Sequence, residues 1–195
     1  HEEIRNRTVG VIGYGHIGKE IAKRAAAFDM RIIAIRRSQQ DAVAPLEWIG
    51  TADQLDKLLS ESDFVVVACD MNEETIGMID APQIAKMKPS GIIINVARGR
   101  IITEEALYMA LKNKKIGGAV LDVWYNYIGN DQEEVSPSNF PFEQLDNVIL
   151  SAHESASTPE QVERRWKFVA ENICRAIDGE TAKNIVFVGR EEATY

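Results

Sequence analysis

One stretch limits what this chain can fold into more than any other: T-V-G-V-I-G-Y-G-H-I-G-K-E-I-A-K-R, Thr8 to Arg24. Val9 to Ile12 is a short apolar run of the length a buried strand needs. Gly13, Gly15 and Gly18 then fill the spacing G-x-G-x-x-G. Ile17, Ile21, Ala25 and Phe28 follow at helical spacing and are expected to share one buried face. Arg31 to Ile35 reads as a second strand, which completes a strand–helix–strand unit. Each glycine then has a physical task. Gly13 permits the tight turn out of the strand, Gly15 lets a pyrophosphate approach the backbone, and Gly18 lets helix pack close to strand. The helix N-terminus adds free N–H groups and the positive end of its dipole. The plainer alternative is a glycine-rich turn in some other α/β protein.

The end of the second strand normally selects the dinucleotide. An acidic residue about 20 positions past the central glycine would grip a ribose 2′-hydroxyl. At that distance from Gly15 the chain carries Arg36, then Arg37 and Ser38. Guanidinium matches a phosphate through parallel charge-assisted hydrogen bonds. The expectation is a pocket that prefers NADP, with NAD the alternative if the two arginines are merely solvated loop charges.

Beyond Ser38 strands and helices alternate. A polar linker, Gln39 to Pro45, precedes a short helix for which Thr51 and Gln54 are expected to form a capping box. Asp63 to Ala68 reads as a third strand, and Asp80 with Gln83 caps the next helix. Ile92 to Val96 is a fourth strand, Thr103 caps a further helix, and Gly117 to Leu121 is a fifth strand ending at Asp122. A long aromatic stretch, Val123 to Asp146, separates it from a sixth strand at Val148 to Leu150. Loops of this length are usually functional. Thr158, Pro159 and Gln161 open a last long helix that Gly179 stops, and Ile185 to Val188 is a final apolar run. This order implies an α/β fold: a Rossmann-type, doubly wound parallel sheet with helices on both faces.

In such a sheet ligands bind outside the carboxyl ends of the strands. Cys69, Ala97, Arg98, Asp122 and His153 are all expected at that edge. Arg98 could hold a carboxylate bidentately and polarise a neighbouring carbonyl. His153 could move the proton that accompanies hydride transfer, since a free imidazole as a class exchanges protons near neutrality. Singly, each has a plain reading: a surface charge, a turn residue, a loop histidine. Their convergence with a dinucleotide motif favours chemistry.

Composition supports a small-molecule role. The net charge of −8 argues against nucleic acid or an anionic membrane as partner. No run approaches a transmembrane length, and H-E-E-I-R-N-R at the start reads as no signal peptide. The two cysteines, Cys69 and Cys174, make no metal-ligand pattern and fit reduced thiols in a cytoplasmic protein.

Four stretches together resemble the cofactor-binding domain of the D-isomer-specific 2-hydroxyacid dehydrogenases. This family includes glyoxylate and hydroxypyruvate reductases, phosphoglycerate dehydrogenase and formate dehydrogenase. The stretches are T-V-G-V-I-G-Y-G-H-I-G-K-E-I-A, M-K-P-S-G-I-I-I-N-V-A-R-G-R-I-I-T-E-E-A-L, I-G-G-A-V-L-D-V-W and L-D-N-V-I-L-S-A-H-E-S-A-S-T-P-E. The resemblance implies that Arg98 binds the substrate carboxylate and carbonyl, and that His153 is the acid in reduction and the base in oxidation. It also implies that Asp122 lies near the nicotinamide carboxamide and that His16 and Ile17 contact the pyrophosphate. Cys69 and Ala97 complete the candidate cofactor set.

Two features depart from the family pattern. The family usually carries a glutamate downstream of the aspartate, paired with the histidine; here the residue is Tyr127. A carboxylate favours an imidazolium and a neutral phenol does so much less. Glu154 and Ser155 stand where an apolar residue and a glycine are usual. Family members also carry a substrate domain of roughly a hundred residues, an ordinary size for one domain, ahead of this one. The resemblance therefore implies an excised cofactor domain at 1–182, with 183–195 as a tail returning to the absent lobe. Such a chain should bind dinucleotide but turn over little. The leading reading is the cofactor domain of an NADP-preferring oxidoreductase acting on a small 2-oxo or 2-hydroxy acid, homodimeric as family members often are. The alternatives are a dinucleotide-sensing or interaction module with weak or no catalysis, as in a corepressor relative, and another dinucleotide chemistry on the same scaffold.

Overall fold

The computed structural model describes residues 3–128 and 135–185. The chain divides into two compact units between His153 and Glu154. The first holds seven parallel strands: β1 (Thr8–Ile12), β2 (Arg31–Ile35), β3 (Trp48–Gly50), β4 (Phe64–Val67), β5 (Ile92–Asn95), β6 (Gly118–Leu121) and β7 (Val148–Leu150). Their spatial order is β3-β2-β1-β4-β5-β6-β7. Chain order thus runs outward in one direction from β1, then returns to start again at β4 on its other side. The switch point falls between β1 and β4, where a doubly wound sheet opens its ligand crevice.

Alternation along the strands divides the core. Ile12, Ile33, Ile35, Val65, Val67 and Ile93 face one side, with Leu58 and Leu59 of α2 (Leu55–Glu61), Ile84 of α3 (Ala81–Ile84) and Leu107 and Leu111 of α4 (Glu104–Lys112). Val9, Val11, Ile32, Ala34 and Val66 face the other side, against Ala22 and Ala25 of α1 (His16–Ala26). A sheet covered on both faces needs strands apolar throughout, and β1 is buried at all five positions.

Asp63 ties three elements together. It accepts from the Thr8 backbone N–H at 2.8 Å and from Lys88 Nζ at 2.8 Å. Burial alone would raise its pKa, but Lys88, the Thr8 N–H and Arg7 together outweigh that and hold it below its ordinary 3.8.

The structure departs from the expectations in four places. The α1 face that packs on the sheet carries Gly18, Ala22 and Ala25, whereas Ile17 and Phe28 are 58% and 59% exposed. Close approach of helix to strand selects small residues: a Cβ on Gly18 would sit 2.3 Å from the Gly13 carbonyl oxygen. Thr51 does not cap α2. A 3₁₀ turn, Ala52–Gln54, comes first, and the Thr51 hydroxyl donates to Asp53 instead. Thr103 occupies the N-cap position of α4 without a side-chain cap bond. Finally, the edge strand β3 lies in a stretch read only as the approach to a helix.

The second unit contains α5 (Pro159–Ile177), capped as expected by Thr158, whose Oγ1 accepts from the Gln161 N–H at 3.1 Å. Gly179 follows it with φ +72°. Residues 186–188 of the final apolar run, and 186–195 of the tail, lie outside the described residues. Among the described residues no helix is long and apolar enough to cross a membrane.

Candidate active site and cofactor cleft

β1 ends in the glycine turn. Gly13 has φ +99°, and a Cβ there would meet the Cys69 backbone at 2.5 Å, so both conformation and space demand glycine. The Gly13 N–H donates to the Ile35 carbonyl at 2.9 Å, which aligns the mouths of β1 and β2. Gly15 differs in kind: a Cβ on it would find no protein atom within 4 Å. The room beside it is open, as a backbone that must admit a ligand requires. Gly15 caps α1 without a side-chain bond, and the first turn of α1 carries no acidic residue. Its N–H groups and positive dipole end therefore remain available to an anion.

A cleft of about 540 Å³ opens there, over the switch point. Gly13, Gly15, His16, Ile17, Arg36, Arg37, Ser38 and Cys69 all line it. Tyr14, Asp70, Asn72, Glu74 and Thr75, not singled out from the sequence, line it too. The Asn72 side chain organises its own loop, accepting from the Glu74 and Thr75 N–H groups at 2.9 and 3.1 Å. Burial pushes the Cys69 thiol up to about 11, so it enters the cleft wall as a neutral, apolar group. Arg36 is half-buried and donates to Gln40 Oε1, while Arg37 and Ser38 are exposed at the rim. Gly18, Ala97 and Asp122 are buried and do not line this cleft.

The second group of residues lies along the same carboxyl edge, on three adjacent strands. Arg98 follows β5, Asp122 follows β6 and His153 follows β7. The strand ends are held in step: the Asp122 N–H donates to the Asn95 carbonyl at 3.1 Å, and the Ser151 N–H to the Leu121 carbonyl at 2.9 Å. Asn95 shapes the turn that presents Arg98. Its Oδ1 accepts from the Ala97 N–H at 3.1 Å, and its Nδ2 donates to the Arg98 carbonyl at 3.0 Å. Sequence reasoning took Asn95 for a strand residue; the available signal was one amide in an otherwise apolar run. The Arg98 side chain is exposed, and its guanidinium donates to the Ala97 carbonyl at 2.6 Å. Asp122 is buried at the end of β6.

The loop after β6 is pinned on both sides. Trp124 Nε1 donates to the Ser151 carbonyl at 2.9 Å, joining this loop to the one that carries His153. The Trp124 carbonyl also sits so close to Gly99 that a Cβ there would lie 2.3 Å from it. Glu104, in the first turn of α4, accepts from Ser138 Oγ, the Asn139 N–H and Asn139 Nδ2 at 2.6, 2.6 and 2.8 Å. Tyr108 of α4 packs between Phe140 and Phe142. Residues 129–134 of the aromatic stretch lie outside the described residues.

His153 adopts φ +61°, a left-handed backbone that histidine enters more readily than most residues. Its Nδ1 lies 3.2 Å from Tyr127 Oη, and the same oxygen accepts from the Trp124 N–H at 3.1 Å. Tyr127 thus stands beside the imidazole. Both side chains are exposed to solvent.

Comparison with known proteins gives a consistent picture. The family model described as D-isomer specific 2-hydroxyacid dehydrogenase, NAD binding domain, matches residues 1–155. The chain is 37% identical over 187 residues to a glyoxylate reductase of Korarchaeum cryptofilum, covering 94% of this chain and 53% of the relative. It is 40% identical over 184 residues to a D-3-phosphoglycerate dehydrogenase of Methanocaldococcus jannaschii, covering 94% of this chain and 34% of the relative. Among solved structures it resembles an acyclic imino acid reductase in complex with NADPH and D-Arg, at TM-score 0.80 and 30% identity over 95% of this chain and 55% of the other. It also resembles D-lactate dehydrogenase with NAD+ from Lactobacillus jensenii, at TM-score 0.80 and 28% identity over 96% of this chain and 57% of the other. The chain thus spans about half the length of the glyoxylate reductase and of both solved relatives, and about a third of the phosphoglycerate dehydrogenase.

Proposed function

The chain belongs to the D-isomer specific 2-hydroxyacid dehydrogenase family, matching its NAD-binding domain. From that premise we propose that it is the cofactor domain of an oxidoreductase that prefers NADP and interconverts a small 2-oxo acid and its 2-hydroxy acid. The observation that carries this reading is the shared edge. The glycine cleft and the turns bearing Arg98, Asp122 and His153 open at the carboxyl ends of one parallel sheet.

The residues present fit a dinucleotide. The open space at Gly15 and the uncapped start of α1, with His16 and Ile17, would hold the diphosphate. Arg37 and Ser38, with Arg36 behind them, would hold a 2′-phosphate. Ala97 and Asp122 would border the nicotinamide end. The cofactor, when bound, supplies or accepts the hydride. Arg98 orients the substrate carboxylate and polarises the neighbouring carbonyl, and His153 delivers or removes the proton at the substrate oxygen. Glyoxylate and hydroxypyruvate are the substrates of this size that fit the reading. A homodimer and a cytoplasmic location belong to the same proposal.

A second reading, a dinucleotide-responsive interaction module, draws on Tyr127 in place of a carboxylate. One assay separates the two. Full-length protein is mixed with NADPH and glyoxylate, alongside Arg98→Ala and His153→Ala. The reductase reading predicts turnover that falls by at least about 100-fold in each variant. Tight NADPH binding with no turnover of either 2-oxo acid would instead support the module.

A further inference from the structure

Tyr127 Oη makes two contacts at once, one with a backbone N–H and one with the His153 ring. The backbone N–H of Trp124 can only donate, so the phenolic oxygen accepts there, at 3.1 Å. The remaining neighbour, 3.2 Å away, is Nδ1 of His153. The phenolic hydrogen then has one partner in this pair, the Nδ1 lone pair. A neutral imidazole that accepts at Nδ1 carries its own hydrogen on Nε2.

From this we propose that Tyr127 is a positioning residue that locks His153 as the Nε2–H tautomer and serves as the proton source behind it. The inference rests on the reductase reading and deepens it. A family carboxylate can only accept from the ring and so favours the imidazolium. A phenol donating to Nδ1 favours the neutral ring with its hydrogen already pointing outward from Nε2.

The proton inventory closes without an imidazolium. Hydride addition at the 2-carbon, from the reduced nicotinamide of the proposed reaction, leaves a negative charge on the former carbonyl oxygen. That oxygen takes the Nε2 hydrogen as the O–H bond forms, and the phenolic hydrogen passes to Nδ1 as the Tyr127 O–H bond breaks. The ring stays neutral throughout, with its hydrogen moved from Nε2 to Nδ1. The phenolate keeps the Trp124 N–H as donor and takes a proton from water, which its 49% exposure permits. The starting tautomer returns when Nε2 takes a proton from water while Nδ1 passes its own to the phenolic oxygen, which releases one to water.

The test reads the ring itself. Imidazole ¹⁵N shifts of His153 are recorded in this chain and in Tyr127→Phe at a pH where the ring is neutral. The proposal predicts a protonated Nε2 and an unprotonated, hydrogen-bonded Nδ1 in the parent, and a mixture of tautomers in Tyr127→Phe. An Nδ1-protonated ring in the parent, or identical spectra in the two proteins, would overturn it. In full-length protein Tyr127→Phe should lower kcat with glyoxylate roughly tenfold and leave KM within about twofold. An unchanged kcat would remove the proton-source role. The predicted shifts in a protein that reduces no 2-oxo acid would leave the tautomer lock standing and defeat the reductase reading alone.

Discussion

At the scale of single residues, the site depends on groups that set the direction of others. Arg98 is exposed and its usefulness lies in where its turn points it. That turn is held by the Asn95 side chain, which is 1% exposed and bonded at both ends. Asn95→Ala removes both bonds and leaves the buried Ala97 N–H to find another partner, while the Arg98 carbonyl keeps only the Ile101 N–H at 3.3 Å. The expected cost is about 2 kcal/mol of stability, with a fall in kcat/KM for glyoxylate and little change in NADPH affinity. Urea unfolding and steady-state kinetics on the variant check this; equal losses in both ligands' binding would show a general collapse instead. Arg98 and His153 were legible in the sequence because strand ends are readable from apolar runs. Asn95 was not, because an amide inside a strand run gives no hint of which backbone groups it will meet.

At the scale of elements, the start of β1, the turn before β4 and the segment after α3 are joined through Asp63, whose side chain is 14% exposed. Its pKa is depressed, so the unfolded chain takes up its proton first as pH falls. The stabilisation is therefore complete above about 3.8 and lost as pH drops through the lower folded value. Asp63→Asn should cost about 2 kcal/mol at neutral pH, and the gap from the parent should shrink in acid, as pH falls below about 3.8. Denaturant titrations at the two pH values decide it; a gap of the same size at both would refute the charge-based account. Elements also show where patterns mislead. The 3.6-residue period located α1 and part of its buried face, Ile21 and Ala25, but close packing through Gly18 and Ala22 turns that face and leaves Ile17 to the cleft wall. β3 was missed because three residues after Pro45 carry too little period to register, and its partner β2 supplies the order. Thr51 and Gln54 have the right chemistry for a capping box, yet the intervening 3₁₀ turn takes the hydroxyl elsewhere.

At the scale of the whole molecule, six of the seven strands paired in parallel were implied by the alternation of elements, and the sheet order then dictates the rest. Parallel pairing puts every strand's carboxyl end on one edge, and the reversal between β1 and β4 opens a crevice there. Residues 13–17, 36–38 and 69 meet in that crevice although long stretches of chain separate them. The sequence also carries the chemical argument for the proposed NADP preference, Arg36, Arg37 and Ser38 in place of an acid. The structure adds that Arg36 is engaged by Gln40, so the proposed discrimination would rest chiefly on Arg37 and Ser38. Calorimetric titration of this chain with NADPH and with NADH, at one salt concentration, addresses the central claim most directly. The account predicts that both bind and that NADPH binds tighter by at least about tenfold, the value of one good charge-assisted contact. Binding of neither would contradict the cleft assignment, and NADH binding as tightly as NADPH would contradict the reading of the arginines.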